Sequence, residues 1–219
     1  MPMQKHQIVQ TALDILDRDG LEGVTLRRLA NELHVKAASI YWHIANKEVL
    51  LDEMANAILE AHFGALDFEN EQRDWAAWLD TLAHELRAAM LAYREGARVV
   101  AGAHLGIAVM LAKLLGLTIH VLHNAGFSYS QAATITVTMT TFTFGFVIEE
   151  QASPPLVHVP AMYLDKQIPI GPFRTLGEAM NAWKDENENN DTRFDTGVRI
   201  IINGVRAEQP SSGTAGNPA

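Results

Sequence analysis

Histidine, carboxylate and thiol side chains build most reactive sites, and their placement here narrows the chemistry available. The 219-residue chain has no cysteine, which removes disulfides, thiolate zinc sites, iron–sulfur ligation and a thiol nucleophile together. His104, His120 and His123 are the candidates for a metal. His120 and His123 stand three residues apart and share a helix face. That spacing is common by chance and assures no third ligand, so pocket or core histidines are expected, with no metal. No Gly-rich phosphate loop, HExxH, GxSxG or Cys–His pair occurs, so no reaction is demanded and no cofactor is implied. What is left is recognition by charge, hydrogen bond and apolar contact. Seventeen Lys and Arg against 26 Asp and Glu give a net charge of −9. Residues 1–50 nevertheless balance Lys5, Arg18, Arg27, Arg28, Lys36 and Lys47 against Asp14, Asp17, Asp19, Glu22, Glu32 and Glu48. The rest of the chain is acidic and repels polyphosphate, so only this neutral segment offers a face to nucleic acid.

The elements that would position these groups are helical. With 48% hydrophobic and 20% charged residues, the chain has the composition of a globular protein. Its start lacks a basic segment followed by an apolar core and a small-residue cleavage site, so a cytoplasmic protein is expected. Ile8, Ala12, Ile15 and Leu16 recur at helical spacing, and Gly20 ends that segment. Thr25 caps LRRLANEL, HVK interrupts the pattern before AASIYWHI, and Asn46 caps KEVLLDEMANAILEAHF. Four helices are therefore expected by residue 63, and a larger helical layer, opening with DWAAWLDTLAHELRAAMLAY, beyond it. Residues 105–122 approach bilayer-spanning length, but Lys113 in their middle favours a buried or pocket-lining helix and no membrane. Residues 134–144, TITVTMTTFTF, alternate as a strand would. The capping box Ser128–Gln131 after Gly126 favours a helix instead. Ile135, Met139, Phe142 and Phe146 would line one stripe, and Val137, Thr141, Phe144 and Ile148 another. A helix apolar on two faces buries one in its own domain and is expected to bury the other against a second chain, giving a homodimer. Five prolines make 153–173 an irregular connection, LGEAMNAW reads as a short helix, and TRFDTGVRIIINGVRAE as a last amphipathic one. A disordered tail is expected at 207–219.

Within LRRLANELHVKAASIYWHI, Leu29, Leu33, Val35 and Ile40 fall where two short helices lock at a steep angle, with Ala30 small at their crossing. The turn between them wants positive φ and carries His34 in place of the usual Gly. TLRRLANELHVKAASIYWHIANKEVLLDEM, following a helix that ends in Gly20, resembles the DNA-binding domain of the tetracycline-repressor family. The similarity covers residues 4–63. It extends more weakly to about residue 151 through Trp75, AYREGARVV, the NAGFS turn and FGFVIEEQ, which resemble that family's tetracycline-responsive branch. The resemblance implies an all-α fold: a helix-turn-helix domain over 1–45, a linking helix over 46–63 and a ligand-binding and dimerisation domain over 64–206. It also implies a ligand-responsive repressor that binds a double-stranded, pseudo-palindromic DNA operator as a homodimer and is not an enzyme. In such a domain the second helix of the pair enters the major groove. Lys36, Ala37, Ala38 and Ser39 would then face base edges, with Arg27 in the place of the family's guanine-reading arginine. Tyr41, Trp42, His43 and Lys47 resemble its phosphate clamp, and Thr25 is counted with the DNA-binding residues. Trp42 also has the apolar area of a core residue, and Arg28 reads as solvated or ion-paired.

The ligand side of the resemblance departs from the tetracycline-responsive pattern. The position of the metal-binding histidine is Val100, and that of a drug-binding histidine is Phe63. Leu82 and Leu86 stand in place of the drug site's asparagine and phenylalanine and Ala103 in place of a threonine, and the acidic position is kept as Glu149 or Glu150. Such a set loses the chelate and the hydrogen bonds to a polar drug. The expectation is an apolar, metal-free pocket of Phe63, Leu82, Leu86, Val100, Ala103 and His104, with Glu149 as a possible anchor, for a small hydrophobic ligand. The alternative is a helical small-molecule-binding protein or an enzyme without DNA-linked regulation.

Overall fold

Capping chemistry sets the helix boundaries of the N-terminal half. The computed structural model describes residues 4–68, 73–152 and 189–209, with residues 175, 177–179, 182 and 183. Helix α1 (Lys5–Asp19) stops at Gly20, whose φ of 75° is left-handed and whose N–H returns to Leu16 at 2.8 Å. A 3-10 turn, Leu21–Gly23, leads to α2 (Leu26–Glu32), where Thr25 Oγ1 accepts the Arg28 N–H. His34 takes the positive φ that its turn demands, 54°, before α3 (Ala37–Tyr41). The α-helix closes at Tyr41, so Trp42 and His43 follow as a turn rather than as the end of AASIYWHI. Asn46 caps α4 (Lys47–Phe63) through the Val49 N–H at 2.8 Å. Val24, Leu29, Ile40 and Ile44 are fully buried and form the floor on which α2 and α3 cross.

The second layer contains α5 (Trp75–Leu91), α6 (Gly96–Ala101), α7 (Val109–Asn124), α8 (Tyr129–Gln151) and α9 (Asn190–Glu208). The described residues are all helix and connection, so the all-α expectation holds. Helix α4 packs on α1 and also on α5, α6 and α7, which makes it the joint between the layers. The alternation at 134–144 resolves as helix, and the buried Thr136, Thr140 and Thr143 show why. Each hydroxyl donates to a carbonyl one turn back, at 2.8–2.9 Å, so burial leaves none of them unsatisfied. Helix α8 is long and apolar enough to cross a membrane by composition, yet it packs on α5, α6, α7 and α9. Met139 faces inward, while Val137 and Thr141 of the second stripe are exposed.

Helix α7 begins later than the apolar run starting at Leu105 suggests. Asn56 of α4 takes the Ile107 carbonyl at 2.7 Å and the Met110 N–H at 3.1 Å, holding the turn at residues 105–107 outside the helix. The final helix extends beyond 206, so Ala207 and Glu208 of the expected tail are helical. Residues 177–179, 182 and 183 of LGEAMNAW are helical, as expected; its remaining three residues, the expected connection 153–173 and residues 210–219 lie outside the described residues.

Candidate nucleic-acid interface and ligand-binding region

Arginines on and beside α2 have different surroundings. Asp19 and Glu32 bind both Arg18 and Arg28: Arg28 Nη2 lies 2.7 Å from Asp19, and Arg18 Nη2 2.5 Å from Glu32. The Arg18 hydrogen bond holds the Asp19 carboxyl below its ordinary range despite the opposing cost of burial. Arg28 is thus the ion-paired residue that its position suggested. Arg27 is exposed and makes no ion pair among the described residues. Lys36, Ala37, Ala38 and Ser39 are exposed at the start of α3, next to Tyr41 at 55% and Trp42 at 87% exposure. That exposure removes Trp42 from the core, leaving a large indole in water with no intramolecular partner to bury it. His43 is half-buried, and Lys47 Nζ lies 3.4 Å from the Leu21 carbonyl, a long bond that leaves the exposed ammonium available. Thr25 accepts a bond as N-cap and keeps its own proton to donate. The ten expected residues therefore lie along one stretch, Thr25–Lys47, nine of them exposed.

Expected ligand residues divide between two environments. Phe63 of α4, Leu82 and Leu86 of α5 and Val100 of α6 are 3% exposed or less, within one continuous core. Ala103 is half-buried. His104 stands apart: its side chain is 70% exposed, and its Nδ1 lies 3.3 Å from Asp52. Glu149 and Glu150 are both half-buried, and Glu150 is held by Arg87 through two bonds of 2.6 and 2.9 Å. Arg87 also reaches Asp191 at 2.7 Å and lies over the Phe194 ring. The Glu150 bonds raise its pKa further, against burial. Cavities of about 520 Å³ between α1, α4 and α7, and about 620 Å³ between α5 and α9, open elsewhere. Neither is lined by the expected ligand residues; these pack on their neighbours. His120 meets Asn124, and His123 hydrogen-bonds the Phe127 carbonyl at 2.9 Å and stacks on Tyr129.

Three polar residues beyond the expected set join helices to the turns beside them. Asp52, 2% exposed on α4, accepts the backbone N–H of His104 at 2.8 Å, and Asn56 one turn later holds Ile107 and Met110. Gln151 at the end of α8 holds Met90, Tyr93 and Ala97. Asp52 and Asn56 sit four residues apart inside an otherwise apolar helix face, and that interruption is their only trace in the sequence.

Known proteins resemble most of the chain. A family model described as "Tetracyclin repressor-like, C-terminal domain" matches residues 69–209, and one described as "Bacterial regulatory proteins, tetR family" matches residues 8–54. The chain is 34% identical over 204 residues to the tetracycline repressor protein class A from transposon 1721 of Escherichia coli, covering 93% of this chain and 90% of that one. Among solved structures it is similar to a possible TetR family transcriptional regulator from Streptomyces coelicolor A3(2), with 32% identity and a TM-score of 0.77. That match covers 94% of this chain and all of the other. It is also similar to a TetR variant from Acinetobacter baumannii AYE in complex with minocycline, with 29% identity, a TM-score of 0.72 and coverage of 99% and 100%.

Proposed function

The chain belongs to the tetR family of bacterial regulatory proteins and is a DNA-binding transcriptional regulator, and from that premise we propose a repressor released from a pseudo-palindromic operator by a hydrophobic small molecule. The observation that carries the DNA half is the exposed face of Arg27, Lys36–Ser39 and Trp42, whose unpaired guanidinium contrasts with the neutralised Arg18 and Arg28. Arg27 reads a guanine, Ala37 and Ala38 offer only apolar contact to a thymine methyl, and Tyr41, His43, Lys47 and Thr25 set the register on phosphates. Two copies act together. Val137 on α8 and Ile200 on α9 are 59% and 65% exposed, and a four-helix bundle of α8 and α9 from each chain would cover them. Residues 1–45 then form the reading head, 46–63 the link and 64–206 the ligand-binding and dimerisation domain.

The ligand half rests on Val100 and its neighbours. An apolar side chain stands where the resemblance puts a metal ligand, beside Phe63, Leu82, Leu86 and Ala103, so the effector is hydrophobic and needs no metal. Glu149 would anchor a cationic group from its half-buried place near the end of α8. With these side chains packed together, binding opens the core and the apparent affinity is lowered by the cost of opening. A second reading, response to magnesium–tetracycline, is favoured by the likeness to the minocycline-bound TetR variant. A mobility-shift titration on a selected operator separates the two. Release by hydrophobic compounds that persists in EDTA supports the metal-free pocket, and release by magnesium–tetracycline at low micromolar concentration supports the second.

A further inference from the structure

The reading head is tied to the helical core by a second contact, beside the start of α4, whose Lys47 also reaches the Leu21 carbonyl. Between α5 and α6 the chain turns through Tyr93, Arg94 and Glu95, and this elbow lies on the end of α1. Arg94 donates its backbone N–H to Asp17 at 2.8 Å, and its guanidinium reaches the Arg18 carbonyl at 3.3 Å. Glu95 accepts the backbone N–H of Leu21 at 2.7 Å, and Leu21 opens the 3-10 turn that leads into α2. Glu95 makes this bond from a φ of 54°, a conformation that a non-glycine residue holds only where its surroundings over-determine it.

Those surroundings are visible on both sides of the elbow. A Cβ at Gly20 would lie 2.6 Å from the Glu95 carboxylate, and one at Gly96 would lie 2.3 Å from the Met90 carbonyl. From the core side, the Gln151 amide nitrogen donates to the carbonyls of Met90 at 3.0 Å and Tyr93 at 2.8 Å. Its oxygen accepts the Ala97 N–H at 3.1 Å. One side chain thus joins the last turn of α5 to the first turn of α6 and sets the bend between them. Gln151 is the last residue of α8, directly after Glu150, which Arg87 holds, and two residues after Glu149.

We propose that Gln151 is a positioning residue that couples the end of α8 to the reading head through Glu95, as a second route beside the linking helix. It rests on the ligand-responsive repressor reading above. A ligand that engages Glu149 acts on the same last turn of α8, and a small rotation of that turn withdraws three hydrogen bonds from the elbow. Glu95 then loses the restraint on its left-handed backbone, Leu21 loses its acceptor, and the junction of α1 and α2 is free to tilt. The ligand exerts this effect to the extent that it favours the rotated state.

Hydrogen exchange on the free, full-length protein tests it without DNA. In Gln151→Met, which keeps the side-chain volume and removes the hydrogen bonds, the Leu21 amide should exchange about tenfold faster, the loss expected for one hydrogen bond to a charged group. Leu29 of α2 and Ile58 of α4 should keep their wild-type protection. Glu95→Gln, which keeps length and weakens the acceptor, should raise exchange at Leu21 without touching α8. The double variant should exchange there no faster than Glu95→Gln alone. Unchanged Leu21 exchange in either folded variant, a uniform rise along the chain, or independent effects in the double variant would overturn the coupling. Because no operator is involved, such a failure leaves the repressor reading to its own mobility-shift test.

Discussion

Arg27 and Lys47 carry the same charge but differ in what it is able to specify. Arg27→Ala should weaken operator binding by roughly 1–3 kcal/mol and relax discrimination at one base pair, as loss of a bidentate guanine contact does. Lys47→Ala should weaken binding about equally on all sequences and lower the salt slope by about one unit. Titrating both variants over several operators and salt concentrations checks the division, and identical behaviour would refute it. Trp42→Ala is expected to reduce affinity while shifting unfolding by no more than about 0.5 kcal/mol, because the side chain is 87% exposed. Parallel melts and binding curves test that separation. At this scale the sequence was a good guide where a residue acts on its immediate neighbours. His34 stands where the turn type demands a positive φ, and its φ is 54°. Glu95 carried no such mark. The glycine that hints at a special backbone is Gly96, which is needed for closeness to Met90 rather than for its φ.

Among the elements, α9 is held to α5 by a contact that should respond to pH. His84 Nε2 meets Asp195 at 2.9 Å, its Nδ1 donates to the Asp80 carbonyl at 2.8 Å, and its ring packs edge-on against Phe194. Partial burial lowers the pKa of His84, but the Asp195 hydrogen bond, the Asp80 carbonyl and the two carboxylate charges outweigh it and leave the pKa raised. Arg199 on α9 lines the same groove. A raised folded-state pKa gives stability that is complete below the unfolded value of about 6.5 and is lost as pH climbs through the folded value. The melting advantage of wild type over His84→Gln should therefore be larger at about pH 6 than at about pH 8; an advantage independent of pH would refute the link. Helix existence was legible where caps and apolar stripes are local: Ser128, Asn46 and Thr25 all cap as their positions imply, whereas the six-residue α6, with no side-chain cap, gave no such signal. The start of α7 was not, because Asn56, some fifty residues earlier, determines it. A closed core around Phe63, Leu82 and Val100 was equally out of reach, since cavity volume depends on how neighbouring helices pack.

At the scale of the whole molecule, the expected assembly is a two-fold dimer that sets two reading heads on successive major-groove faces. Analytical ultracentrifugation at micromolar concentration should give a single species of twice the chain mass, and Val137→Asp with Ile200→Asp should shift it toward monomer. A wild-type monomer that stays monomeric with operator DNA would exclude the arrangement. The pairing of Arg18 and Arg28 with Asp19 and Glu32 then bears on how such a dimer finds its site. Two guanidinium groups beside the reading helix are already neutralised, and the remainder of the chain is acidic and repels phosphate. Random duplex therefore offers this protein few counterions to release, and its dwell time on unrelated sequence should be short. Search by repeated three-dimensional encounter, with little sliding, is the kinetic regime that this charge arrangement selects.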